Sequence, residues 1–197
     1  VTVTGSWDSA SYRLVVPIGA AQIEAGTTVT VRVADIKTPP SVRSADTGFI
    51  STRDAAQAVV DGPTAMITGA IIKGSLSGDL AWAAAAGKHT PGITSTSTLS
   101  FKVTGAIPIG GRIDVQLPQG WRLGHTHPQV SFREPSLGVV GAAQWDSTTR
   151  KLVVTVLAQA IEQGSNVVLD VHEVTTPMSS RDSATVTLQT QDAAQQV

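Results

Sequence analysis

His125-Thr126-His127 is the grouping in this 197-residue chain with the plainest chemical potential. Two imidazoles at i, i+2 share a face when their segment is a strand, and His172-Glu173 would supply a third donor for a tetrahedral metal site. The segment follows Trp121 and is restarted by Pro128, a pattern that reads instead as an exposed polar loop, and no metal site is expected there. Calcium needs about six to eight oxygens around it. Asp54, Asp61 and Asp192 lie at unit ends outside any acid-rich loop, so they read as turn residues bonding nearby backbone. Glycoside hydrolysis needs two facing carboxylates. The only glutamates are Glu24, Glu134, Glu162 and Glu173, and two of these repeat one turn position. There is no Gly-x-Ser-x-Gly elbow to expose a nucleophilic serine, and no cysteine for a thiolate, a disulfide or a thiolate-held metal. The expectation is a non-catalytic protein with no cofactor.

Binding chemistry has two candidates. Trp82 and Trp121 could stack on sugar rings, whereas Trp7 and Trp145 occupy one repeated position and read as core or sheet-end packing. Thr94, Ser95, Thr96, Ser97 and Thr98 form a hydroxyl run beside Pro91-Gly92, a candidate O-glycosylation segment that also reads as a polar loop leading into a strand. The one asparagine, Asn166, precedes Val-Val and is not an N-glycosylation acceptor. Charged residues make up 15% of the chain with a net charge of -1, which excludes the basic stripe of a nucleic-acid binder. Ser, Thr and Gln supply the polar surface, a choice suited to pleated strands. No apolar run approaches the ~20 residues of a membrane span. The opening residues lack a charged and apolar leader pattern, so the chain is expected to be a mature piece of something longer.

The elements that position these residues recur. Residues 1–59 align with 139–197 at a constant offset of 138 without a gap, with 24 identities among the 59 pairs. Trp7-Asp8-Ser9 matches Trp145-Asp146-Ser147, Leu14-Val15-Val16 matches Leu152-Val153-Val154, and Asp54-Ala55-Ala56-Gln57 matches Asp192-Ala193-Ala194-Gln195. Compositional bias does not place such words in one register. One period therefore covers 60–197, a full unit, and 1–59 is the back part of a preceding unit whose front part is lacking.

Within the period the apolar residues alternate. Leu99, Phe101 and Val103, Ile113, Val115 and Leu117, and Val167, Leu169 and Val171 each stand on one face of a run bounded by turn residues. Strands are expected near 66–73, 98–104, 112–117, 129–134, 139–145, 151–157, 166–173 and 184–190, and in the partial unit near 1–5, 12–18, 28–35 and 47–52. The Ala-rich stretch 80–86 is the one possible helix. The expected fold is all-β: Ig-like antiparallel β-sandwich repeats, one full and one partial. Four strands leave an apolar face uncovered, so a neighbouring segment, either upstream chain or another molecule, is expected to complete the partial unit.

The phrases Ser100-Phe101-Lys102-Val103-Thr104, Ala106-Ile107-Pro108-Ile109-Gly110-Gly111-Arg112-Ile113 and Leu117-Pro118-Gln119-Gly120-Trp121 carry a resemblance, as do Ile161-Glu162-Gln163-Gly164 and Val174-Thr175-Thr176-Pro177. Over about 130 residues the chain resembles the tandem Ig-like repeats of giant surface glycoproteins of algae and other protists, of the flagellar-membrane or mastigoneme type. The resemblance implies an elongated extracellular or cell-surface protein used for coating or adhesion, often glycosylated, and brings no catalytic residues. The expected role is thus structural or adhesive, with neighbouring repeats or other copies of the protein as partners and possible glycans. A carbohydrate- or ligand-binding adhesin module and a filament subunit assembling by strand complementation are the alternatives.

Overall fold

The alternating runs become strands because each has a partner that buries its apolar face. The computed structural model describes residues 3–19, 22–39, 41–136 and 141–194. The expected strand starts at 1–2 and 139–140, and the end of the second Asp-Ala-Ala-Gln word at Gln195, lie outside the described residues. The chain divides into two compact units, Val1–Lys37 and Thr38–Val197. All described secondary structure is β. The strands are β1 (Ser6–Asp8), β2 (Arg13–Val15), β3 (Thr47–Arg53), β4 (Val59–Ile67), β5 (Ser77–Ala84), β6 (Thr94–Lys102), β7 (Arg112–Gln116), β8 (Arg122–Leu123), β9 (Val130–Glu134), β10 (Gly141–Asp146), β11 (Lys151–Val156), β12 (Asn166–Thr175) and β13 (Thr187–Gln191).

In the second unit β3 and β4 form a separate two-stranded sheet, and β5 to β13 form a two-sheet β-sandwich. One sheet runs β10-β11-β7-β13, and the other runs β5-β6-β12-β8 with β9 also paired to β12. Every pairing is antiparallel. Leu99 and Phe101 of β6 and Val167, Leu169 and Val171 of β12 meet Ile113 and Val115 of β7 and Leu152 and Val154 of β11 in one core. Burying each such side chain contributes about 1.5–3 kcal/mol relative to exposure. In β12 the inward set runs 167, 169, 171 and then 174, because a register shift between Val171 and Val174 moves the phase by one residue. Glu173 takes φ of 57° at that bulge, which turns Val174 back into the core.

The Ala-rich stretch expected as a possible helix is strand β5. Its Trp82 lies opposite Leu99 and Ala81 opposite Ser100 of β6, so sheet pairing overrides alanine's helix preference. Of the strand expected near 66–73 only Met66 and Ile67 are in a strand, at the end of β4, which starts at Val59 and pairs with β3 from Thr47↔Ile67 to Arg53↔Val59; beyond it Ile71 makes a single isolated bridge to Arg43. The repeat boundary expected between residues 59 and 60 falls at the start of β4.

The first unit holds the hairpin β1–β2, with Trp7 opposite Leu14 and Asp8 opposite Arg13. β10–β11 repeats this register 138 residues on, with Trp145 opposite Leu152 and Asp146 opposite Lys151. Residues 28–35, expected as a strand, form no ladder with any described residue. A ladder needs a second segment, and the counterpart β12 has three: β6, β8 and β9. Val29, Val31 and Val33 are exposed, whereas Val167, Leu169 and Val171 are fully buried.

Candidate binding surface

The two aromatic residues singled out as stacking platforms come together. Trp82 stands on β5, and Trp121 follows Gly120, whose φ of 97° makes the turn into β8. Their rings meet edge to face at 6.0 Å and 83°. Each is only partly buried and packs against the core. Beside them runs a groove of about 710 Å³ lined by Trp82, His89, Trp121, Pro177, Arg181 and Asp182, among others. Arg181 Nη1 donates to the Gln119 carbonyl at 3.3 Å, which fixes the guanidinium near the Trp121 turn. Trp82 Nε1 is buried without a partner among the described residues. The groove thus offers aromatic surface, one guanidinium and one carboxylate, an arrangement suited to holding a flat or cyclic polar molecule.

The histidine pair does not converge. His125 Nε2 lies 2.9 Å from Glu173 Oε2 at the surface, and His127 Nδ1 lies 3.2 Å from the Thr126 hydroxyl. His172 is occupied inside the sheet, with Nδ1 at 3.2 Å from Thr96 Oγ1 and Nε2 at 3.3 Å from Ser131 Oγ. Its ring therefore ties β6, β12 and β9 together. Among the described residues no three histidine or acidic side chains are grouped to hold a metal ion.

The hydroxyl run is the first half of β6, which lies between β5 and β12. Thr94 Oγ1 meets Thr175 Oγ1 at 2.8 Å, Ser95 Oγ donates to the Thr96 carbonyl at 3.4 Å, and Thr98 Oγ1 donates to Asp170 at 2.8 Å. Ser97 is 1% exposed, Ser95, Thr96 and Thr98 are half-buried, and Thr94 is the exposed one of the five. Asp170, which sequence reasoning missed, is buried and bound by both Thr98 and Arg133, the latter at 2.6 Å. The only sequence signal was an acid at the outward-facing phase of an apolar run; its partners depend on strand register.

The acids at turns behave as backbone caps. Asp8 accepts the Ala10 N–H at 2.9 Å and the Ser11 hydroxyl at 2.6 Å. Asp146 accepts the Thr148 N–H at 2.8 Å and the Thr149 hydroxyl at 2.7 Å, the same bonds 138 residues later. In each case the side-chain hydroxyl, then the backbone N–H, holds the carboxyl below the usual carboxylate range. Positive φ recurs at the same spacing: Tyr12 and Arg150 at 52° and 57°, Asp35 and Glu173 both at 57°, and Gly26 and Gly164 at 79° and 75°. Asp54 accepts the Ala58 N–H at 2.8 Å, Thr52 donates to Asp61 at 2.7 Å, and Asp192 is buried. No helix of the described residues is long and apolar enough to cross a membrane. No protein-family model, curated protein or solved structure matches the chain.

Proposed function

We propose that the chain is a segment of an extended, non-catalytic array of β-sandwich units that spaces and presents surface outside the cell, as a coat, adhesive or filament component. One observation carries this reading. The hairpin register, the Asp-capped turn and three positive-φ positions recur at an offset of 138, yet Trp145, Leu152 and Val167 of the second copy are buried in a sandwich while Trp7, Leu14 and Val29 of the first are exposed. A back half folded locally to the same plan, with its valines uncovered, is what a unit looks like without its front half. Each further front half would add one interface of the same kind, so stability grows by nearest-neighbour increments along the array. Neighbouring repeats are the natural partners. Exchange between identical chains does not change the tally, because each chain carries two back halves and one front half.

Chains built from one, two and four consecutive units of residues 60–197 test the array by small-angle scattering. The largest dimension should grow in nearly equal steps per unit. A dimension that grows only as the cube root of mass would describe a collapsed body and contradict the reading.

The Trp82–Trp121 groove supports a second reading, a carbohydrate-binding adhesin module. Glycan-array binding that disappears in Trp121→Ala would favour it, and an array without signal would remove it. Any O-linked sugar on the hydroxyl run belongs at Thr94, where an attached group meets solvent rather than the sheet.

A further inference from the structure

We infer that the outer edge of β13 is a docking edge for a strand of β4's sequence, reached through the segment that begins with the second Asp-Ala-Ala-Gln word, so that consecutive units are joined by a paired hairpin. The inference rests on the repeat reading and adds how the units are linked.

Leu117 N donates to the Arg150 carbonyl at 3.0 Å and Val156 N to the Gly111 carbonyl at 2.9 Å. The odd residues of β7 therefore face β11, and by alternation Arg112, Asp114 and Gln116 face β13. Their partners Gln191, Gln189 and Thr187 turn their backbones toward β7. Leu188 and Thr190 turn theirs to the outer edge, where no described strand pairs.

β3 is the counterpart of this strand at the offset of 138, and its pairing fills the other edge. Thr68 N donates to the Asp46 carbonyl at 2.8 Å, so alternation points the backbones of Gly48 and Ile50 at β4, opposite Met66 and Thr64. Their counterparts are Val186 and Leu188, on the outward phase. The edge of β3 that meets β4 is thus the edge that β13 leaves open, and the edge that β13 gives to β7 is the one β3 leaves open. The two strands show complementary halves of one arrangement, with a strand between a β7-like and a β4-like neighbour.

The register carries a side-chain check. Thr52 lies opposite Asp61, donates to its carboxylate at 2.7 Å, and accepts the Asp61 N–H at 3.1 Å. Thr190 is the same residue at the same repeat position, ready to hold an incoming aspartate. The sequence of the turn that delivers the strand is also repeated. Asp54 caps it through the Ala58 N–H, and Asp192-Ala193-Ala194-Gln195 restates its sequence.

The test appends Val-Asp-Gly-Pro-Thr-Ala-Met-Ile-Thr, the sequence of residues 60–68, directly after Val197. A scrambled extension of the same composition is the control. Amide hydrogen exchange is read at Leu188 and Thr190, with Gln189 as the internal reference already paired to β7. The native extension should slow exchange at both outer amides at least about tenfold, and the scrambled one should not. Thr190→Val should weaken that protection. No slowing with the native extension overturns the proposal, as does equal slowing with both extensions. Slowing that scales with protein concentration also overturns it, in favour of edge pairing between chains. Unit growth in the scattering series is a separate readout, so a failed link leaves the array reading to stand or fall by itself.

Discussion

Leu169→Ala and Val31→Ala change the same repeat position in two environments, and their costs should differ sharply. Leu169 is fully buried, opposite Leu99 on one side and Phe132 on the other, whereas Val31 is 54% exposed. Truncating a fully buried leucine removes its transfer free energy and leaves a cavity, for a loss of about 2–5 kcal/mol. Truncating an exposed valine with no ladder partner costs less than about 0.5 kcal/mol. Urea unfolding followed by tryptophan fluorescence measures both. With a slope of about 1–3 kcal/mol per molar, Leu169→Ala should lower the midpoint of the sandwich transition by roughly 1–2 M, and Val31→Ala should leave it in place. Equal losses would mean that residues 28–35 are already packed, and would refute the inference that the first unit lacks its cover.

Three further outcomes follow from local geometry. Gly111→Ala should destabilise the sandwich by about 1–3 kcal/mol in thermal unfolding, because a Cβ there would sit 2.8 Å from the Pro108 carbonyl and 2.9 Å from that of Gln191. Asp8 and Asp146 should titrate below an ordinary aspartate in an NMR pH series. Since their folded-state values are depressed, the turns are supported above the unfolded aspartate value, and that support fades as pH falls through the folded one. Asp146→Asn should remove most of that pH dependence at the β10–β11 turn. Asp170→Ala should cost about 1–3 kcal/mol in chemical denaturation, because the Thr98 hydroxyl loses its acceptor and the Arg133 guanidinium its partner.

The features legible in sequence were those set by one segment alone. Alternation at 99–103, 113–117 and 167–171 placed three core strands, and the Trp-Asp-Ser words placed both capped turns. Features that depend on two segments were not legible. Residues 80–86 read as a possible helix because alanine says nothing of pairing, yet β6 makes them a strand. Residues 94–98 read as a loop beside Pro91-Gly92 because their hydroxyls look solvated. Those of Thr94, Thr96 and Thr98 are matched across the sheet by Thr175, His172 and Asp170. Residues 28–35 carry as clear an alternation as 166–173, yet among the described residues β12 pairs with β6, β8 and β9 and 28–35 pairs with none. The meeting of Trp82 and Trp121 likewise follows from β5 pairing with β6 and from the Gly120 turn, neither of which their spacing announces.

Amide exchange at Val29, Val31 and Val33, in a chain preceded by a second copy of residues 60–138, tests whether a front half covers the first back half. Protection at these amides should become comparable to that of Val167, Leu169 and Val171, with Trp7 moving from its 60% exposure toward the 5% of Trp145. Valine amides that go on exchanging as freely as in the 197-residue chain, with Trp7 still in water, would contradict it.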